Sequence, residues 1–270
     1  MTFSIAGKTA IVTGAANGVG LAIARHFVDQ GANVMFCDMD EKRLVDEVGK
    51  AADKEEGAVR YFAGDLREKL TVANLLSATL DAFDDIDILV NASRQVILSD
   101  PLNPDDDAVE TLLQQNLMTS LRLTQQVSRR MIQQAEAEGR EEGPVGSIIN
   151  LSSIAARRLH PELLAYSISS AALDQMTRAM ALALAPHRIR VNAVAFGSVM
   201  SASLKGALKE QEGIRADIIE NTPLSRIASA GEVAEATQFL ASDGSRFMTG
   251  QILTIDGGRT LVDAVAAPAH

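Results

Sequence analysis

Tyr166 stands in the stretch LHPELLAYSISSAALDQMTRAMALALAP, whose apolar spacing predicts one long helix, and Ser170 follows it by one turn. A phenol works as a general base only when its anion is stabilised: free tyrosine ionises near pH ~10, and a useful base titrates closer to the working pH. A neighbouring cation supplies such stabilisation. Ser170, at i+4, shares a helix face with Tyr166 and brings no charge. The next basic residue on the helix is Arg178, roughly 18 Å further along its axis, too far to serve.

A second group of residues points to phosphate. TGAANGVG lies between TAIVTG, which reads as a strand, and GVGLAIARHFVDQG, which reads as a helix. Gly14, Gly18 and Gly20 allow a tight turn and a close approach of backbone to a pyrophosphate, and the helix start behind them offers unpaired N–H groups. Asp38 closes the next strand, where a carboxylate can accept hydrogen bonds from ribose hydroxyls and repel a 2′-phosphate. NAD(H) is therefore expected over NADP(H), although Lys42 and Arg43 follow closely in sequence.

The elements that must hold these groups alternate regularly. Strands are predicted at TAIVTG, NVMFCD, AVRYFAGD, IDILVNA, SIINLS, IRVNAVA and QILTID, with helices between them. DILV and SIINL are nearly continuous apolar runs, as strands buried on both faces of a parallel sheet require. Asn103 and Pro104, ahead of three aspartates, predict the start of a helix reaching about Ala135, and a second long helix spans about 162–185. With no internal repeat or linker, the expected architecture is α/β: one Rossmann-like domain over residues 1–270, a doubly wound parallel sheet of about seven strands with helices on both faces. The segment from Ser198 to about Pro223 is expected to form a substrate lid. The tail from residue 260 to 270 is expected to dock on a neighbour or stay mobile.

Composition limits the function. A chain of 270 residues can bury a large core, and a net charge of -10 argues against nucleic acid and anionic membranes as partners. No apolar run approaches the roughly 20 residues of a membrane span, no secretory leader is visible, and the cytoplasm is the expected location. Cys37, the single cysteine, reads as a buried structural thiol. Four scattered histidines give no metal-ligand spacing, and no G-x-S-x-G elbow is present.

With these residues in view, nearly the whole chain resembles the short-chain dehydrogenase/reductase family. TGAANGVG resembles its cofactor signature, with Asn17 and Val19 among the glycines. GDL, with Asp65 and Leu66, matches the place where a carboxylate meets adenine. ILVNAS, with Asn91 and Ala92, matches the strand that usually ends N-N-A-G. Asn116 matches a helix asparagine that helps to hold a proton-relay water. Ser153 precedes Tyr166 by the family's usual thirteen residues. IRVNAVAFG, with Phe196, Gly197 and Val199 at its end, resembles the stretch that runs past the nicotinamide, and GQILTIDGG resembles the closing strand. The resemblance implies hydride transfer between nicotinamide and a secondary alcohol or ketone. Tyr166 would exchange the proton, Ser153 would hold the substrate oxygen, and a homotetramer or homodimer would pair through the two long helices.

Three positions depart from the pattern. Ser170 replaces a lysine that in the family binds the nicotinamide ribose and assists the tyrosine. Arg94 replaces the glycine of N-N-A-G, where Ala92 also loses a polar side chain. Phe196 replaces a proline. Arg94 is one candidate to return the missing cation, with Arg157, Arg158 and His160 as rivals. A slow or narrowly specific enzyme is expected, which Ser170→Lys should accelerate; the alternative is a dinucleotide-binding pseudoenzyme acting as a sensor or partner subunit. The enoyl-reductase branch carries a lysine seven positions after the tyrosine, where this chain has Leu173. Arg94, Gln95, Leu159, His160, Val199 and Leu204 are candidates to line the substrate pocket.

Overall fold

A computed structural model describes residues 2–52, 59–201, 204–206, 208 and 213–263. Seven parallel strands form one sheet: β1 (Thr9–Thr13), β2 (Asn33–Asp38), β3 (Val59–Ala63), β4 (Ile88–Asn91), β5 (Gly146–Ser153), β6 (Ile189–Phe196) and β7 (Ile252–Ile255), in the order β3-β2-β1-β4-β5-β6-β7. The direction of winding reverses between β1 and β4, so the carboxyl ends of those strands part there and leave a crevice. Every residue of β1, β5 and β6 is buried, and several polar ones among them, Ser147, Asn150, Arg190 and Asn192, are hydrogen-bonded inside the protein.

Successive side chains on each strand feed opposite faces. Val12, Phe36, Val90 and Val194 pack under α1 (Gly18–Asp29) and against Phe27 and Leu240. Ile11, Met35, Leu89, Ile148 and Val191 pack on the other side with Leu75, Leu123 and Val127. Further helices among the described residues include α2 (Glu41–Ala52), α3 (Lys69–Phe83), α4 (Ala108–Leu112), α5 (Thr119–Ala137), α6 (Leu164–Leu184), α7 (Ile214–Glu220) and α8 (Ala230–Ala241). Cys37 is fully buried, and burial pushes its thiol well above the ordinary range.

The helix expected from Asn103 begins later, at Ala108, because Asp106 acts as the local organiser. Its Oδ1 accepts from the Ala108 amide at 2.8 Å and its Oδ2 from the Asp100 amide at 2.8 Å. Nor is that helix uniform: Leu113–Met118 form a π-helical turn between α4 and α5. The last part of the tail, residues 264–270, lies outside the described residues, as do parts of the lid segment.

Asp174, about two turns past Tyr166 on α6, is buried, and its Oδ1 has no hydrogen-bond partner among the described residues. Burial raises its carboxyl above the usual 3.8. The Ser152 hydroxyl lies close enough to favour the charged form without reaching hydrogen-bonding geometry, and Arg157 and Arg178 pull the same way, but burial prevails. The folded chain therefore holds this proton more tightly than the unfolded one. The resulting stability is fully present below 3.8 and declines as pH rises through the folded value. Asp174→Asn is expected to flatten that decline. Thermal melts across the acid to neutral range would show it, and an unchanged wild-type-minus-variant difference would contradict it.

Candidate active site

The crevice is floored by the turn after β1. Gly14 takes φ +66°, and a Cβ there would stand 2.9 Å from the Ala92 carbonyl oxygen; a Cβ on Gly20 would stand 2.2 Å from the Gly14 oxygen. Only glycine allows the turn, the helix start and the end of β4 to approach so closely. Thr13 ties the same junction: its Oγ1 accepts from the amides of Ala92 at 2.9 Å and Ser93 at 3.0 Å. Asn17 precedes α1 without a side-chain cap, leaving the helix's first amides available to an anion.

A groove of about 670 Å³ follows from this turn. It is lined by Gly14, Asn17, Gly18, Val19, Gly20 and Asp38, by Ala92 against Gly14, and by Phe196, Gly197 and Val199. Asp38 is oriented by backbone: it accepts from the amides of Ala16 (3.1 Å), Met39 (2.7 Å) and Asp40 (3.1 Å). Arg43 is paired with Asp40 at 3.2 Å. Four expected cofactor residues do not line the groove: Asp65, Leu66, Asn91 and Tyr166, the last of which lines a smaller cavity beside it. Asp65 is clasped by Arg67, whose guanidinium holds the carboxyl below its usual range, and Leu66 is buried in the core. The Asn91 side chain turns inward, donating to Asn150 Oδ1 at 2.8 Å and Thr124 Oγ1 at 3.1 Å.

Arg94, which also lines the groove, reaches across the end of the sheet. Its Nη1 donates to Tyr166 Oη at 2.5 Å and to the Ser152 carbonyl at 3.3 Å. Its guanidinium carbon lies 4.1 Å from the centroid of the Phe196 ring and 5.8 Å from that of Tyr166, distances at which a cation is attracted to the ring face. Two of the three departures from the family pattern, Arg94 and Phe196, thus touch one another. The third, Ser170, lines a cavity of about 10 Å³ together with Asn91, Asn116, Ser120, Tyr166 and Arg94, a space near the minimum for one water. The Ser170 hydroxyl has no partner among the described residues.

Asn116 sits in the π-helical turn, a distortion frequent at functional sites. Its side chain clamps the residue after Arg94 on both sides: Oδ1 accepts from the Gln95 amide at 2.8 Å, and Nδ2 donates to the Gln95 carbonyl at 2.9 Å. Nδ2 also donates to Ser169 Oγ at 3.3 Å, tying the clamp to α6. Ser153 is buried at the end of β5, and its hydroxyl accepts from the Ala155 amide at 3.1 Å.

Of the expected pocket residues, Gln95, Val199 and Leu204 line the groove beside Arg94, whereas Leu159 and His160 do not. Leu159 is exposed, and His160 faces Glu162 at 4.0 Å. Arg157 is exposed, and Arg158 donates to the Thr260 carbonyl, so neither rivals Arg94 as the partner of Tyr166. Thr13, Ser93 and Val96 were not anticipated, and Ser198, expected only as the start of a lid, also lines the groove. Thr13 reads as part of a buried strand, and the others reach the groove only through the way the ends of β4 and β6 splay.

A parallel sheet with a glycine turn at its switch point, and a buried phenol paired with an arginine that lines the groove beginning there, defines a dinucleotide-binding oxidoreductase scaffold. Comparisons with known proteins agree. A family model described as Enoyl-(Acyl carrier protein) reductase matches residues 14–260. An L-fucose dehydrogenase of Mus musculus is 33% identical over 259 residues, covering 94% of this chain and 89% of its own. A 3-oxoacyl-[acyl-carrier-protein] reductase of Thermotoga maritima is 33% identical over 255 residues, covering 93% and 97%. A gluconate 5-dehydrogenase from Burkholderia cenocepacia, solved in complex with NADP and tartrate, superposes with a TM-score of 0.85 at 29% identity, covering 97% of this chain and 98% of that one. The chain belongs to the short-chain dehydrogenase/reductase family and is an oxidoreductase acting on CH–OH groups. Among the described residues, no helix is long and apolar enough to cross a membrane, and no cluster of side chains could hold a metal ion.

Proposed function

We propose that the protein interconverts a secondary alcohol and a ketone with NAD(H), and that Arg94 takes the part of the absent lysine in assisting Tyr166. The residues present fit a dinucleotide: Gly14 and Gly20 leave no room for a Cβ, and the groove runs from the uncapped start of α1 to Phe196. Bound there, the nicotinamide would accept or donate a hydride. Tyr166 gives or takes the accompanying proton at its Oη, and Ser153 holds the substrate oxygen. Arg94, with a full positive charge 2.5 Å from that Oη, stabilises the phenolate that forms when the proton leaves. Asn116 is a positioning residue that fixes the backbone beside Arg94. The contact between Arg94 and Tyr166 carries this reading. Leu173, where the enoyl-reductase branch has its lysine, supports alcohol–ketone chemistry over carbon–carbon double-bond reduction.

The preference for NAD(H) rests on Asp38, whose charge meets the position of a 2′-phosphate while Arg43 is occupied by Asp40. Fluorescence titration is expected to show NADH binding at least about tenfold more tightly than NADPH, a gap of roughly 1.4 kcal/mol. Equal affinities would remove the preference. A turnover screen on ketones run beside it tests the activity: NADH binding with no turnover would support a dinucleotide-binding partner subunit instead. Assembly into a homotetramer paired through α5 and α6 belongs to the same proposal, and a monomer in sedimentation would remove it.

A further inference from the structure

Arg94 carries its charge without a carboxylate. Its Nη1 donates to Tyr166 Oη and to the Ser152 carbonyl, and it forms no ion pair among the described residues. A half-buried cation with two neutral oxygen partners is partly stripped of water, and it gains from any fixed negative surface beside it. The Phe196 ring is that surface. Its centroid lies 4.1 Å from the guanidinium carbon, against 5.8 Å for the ring of Tyr166. The face of an aromatic ring carries negative charge density and attracts a cation at such distances.

The ring is fixed, whereas the arginine has no such restraint of its own. Phe196 ends β6, is 2% exposed, and packs in one core cluster with Leu151 and Val194. Arg94 lies beyond the end of β4, and its side chain borders an open groove. The Asn116 clamp fixes the backbone at Gln95, not the guanidinium. Left to itself, so long a side chain spreads over many rotamers, few of which touch the phenol. A proline, which the family pattern carries at position 196, has no π face to offer. The departures at 94 and 196 therefore complete one another.

We infer that Phe196 is a positioning residue whose ring holds the Arg94 guanidinium against Tyr166 Oη, so that arginine and phenylalanine together replace the missing lysine. The inference rests on the proposed action of Arg94 on Tyr166 and adds the part that keeps the two in contact. Of the described residues lining the small cavity at Tyr166, Arg94 alone is a charged side chain, so the support for a phenolate depends on where that guanidinium rests.

The phenol itself can report the effect. The chain has two tyrosines and no tryptophan, so Tyr61→Phe leaves Tyr166 as the single source of tyrosinate absorbance. In alkaline titration of that full chain without cofactor, Arg94→Gln and Phe196→Leu should each move the appearance of tyrosinate to higher pH. For Phe196→Leu the expected displacement is about one pH unit, a tenfold effect on ionisation. In an Arg94→Gln background, Phe196→Leu should add nothing. Simple loosening of the packing would act in the opposite direction, because water reaching the phenol favours its anion. Site-specific replacement of Phe196 by ring-fluorinated phenylalanines keeps the shape and drains the negative face. The displacement should grow with each added fluorine, and this series is decisive should Phe196→Leu fail to fold. Displacement by Arg94→Gln with none on fluorination or in Phe196→Leu would overturn the inference and leave the role of Arg94 standing. A displacement to lower pH, or an equal one in the Arg94→Gln background, would overturn it as well, since the ring would then act without the guanidinium. No displacement by Arg94→Gln itself would remove the support of the phenol by Arg94, and the inference with it.

Discussion

Tyr166→Phe leaves the fold and dinucleotide affinity intact and lowers kcat/KM by a factor on the order of 10³, the usual contribution of a positioned acid–base group. The change deletes one oxygen from a buried side chain. That oxygen's single hydrogen-bond partner among the described residues is Arg94. The ring keeps its place among Ala165, Leu112, Ala108 and Ala155, so packing is conserved. What disappears is, among the described residues, the only acid–base group touching the cation. Stopped-flow or steady-state assays beside NADH titration separate the two effects: a loss in kcat with unchanged NADH affinity marks a chemical role. Turnover within tenfold of wild type would assign the proton to another group.

Arg94→Gln should lower turnover about a hundredfold, because removing a contacting cation from a developing phenolate forfeits a few kcal/mol of stabilisation at most. The informative variant is an exchange. Ser170 faces the same Tyr166–Arg94 cavity, about 10 Å³ in volume, which has no room for a lysine beside the guanidinium. Ser170→Lys alone would crowd one cation against another and is expected to give no gain. In an Arg94→Gly background, the space opens and the added ammonium stands where the family carries its charge, so Ser170→Lys should recover much of the loss. The acceleration expected from sequence for the single change thus becomes conditional on Arg94. Recovery in the double variant with none in the single one is the signature of one cation moved between two anchors. Equal gains in both backgrounds would show that Arg94 and position 170 act independently.

Much of this was legible in the chain. The seven strands stand close to where their apolar runs lie, because strands buried on both faces cannot hide in a mixed pattern. The glycine turn and Asp38, singled out for their places at strand ends, line one groove. The missing lysine and the added arginine were both visible as letters. That Arg94 rather than Arg157, Arg158 or His160 meets Tyr166 could be named only as one candidate among four, because it depends on a side chain crossing from the end of β4 to α6. Phe196 was noted as a lost proline in the stretch expected to pass the nicotinamide, and it is also the surface on which the guanidinium rests. The late helix start follows Asp106, whose carboxylate takes the Asp100 and Ala108 amides while the Asn103 side chain takes that of Asp105, a division that residue preferences alone do not decide. The π-helical turn at Asn116 left no trace in spacing. Asp65 matched its motif and was taken by Arg67, a neighbour two residues away that motif matching ignores.

The change of anchor has one further effect. In the family pattern, the proton-carrying phenol and its charge share a single helix turn and travel together. Here the phenol rides on α6 and the charge on the rim of β4, with Asn116 as the brace between them. The pair is therefore a caliper across helix and sheet: any slide of α6 opens the gap at once, and catalytic competence becomes a gauge of how firmly that helix is seated.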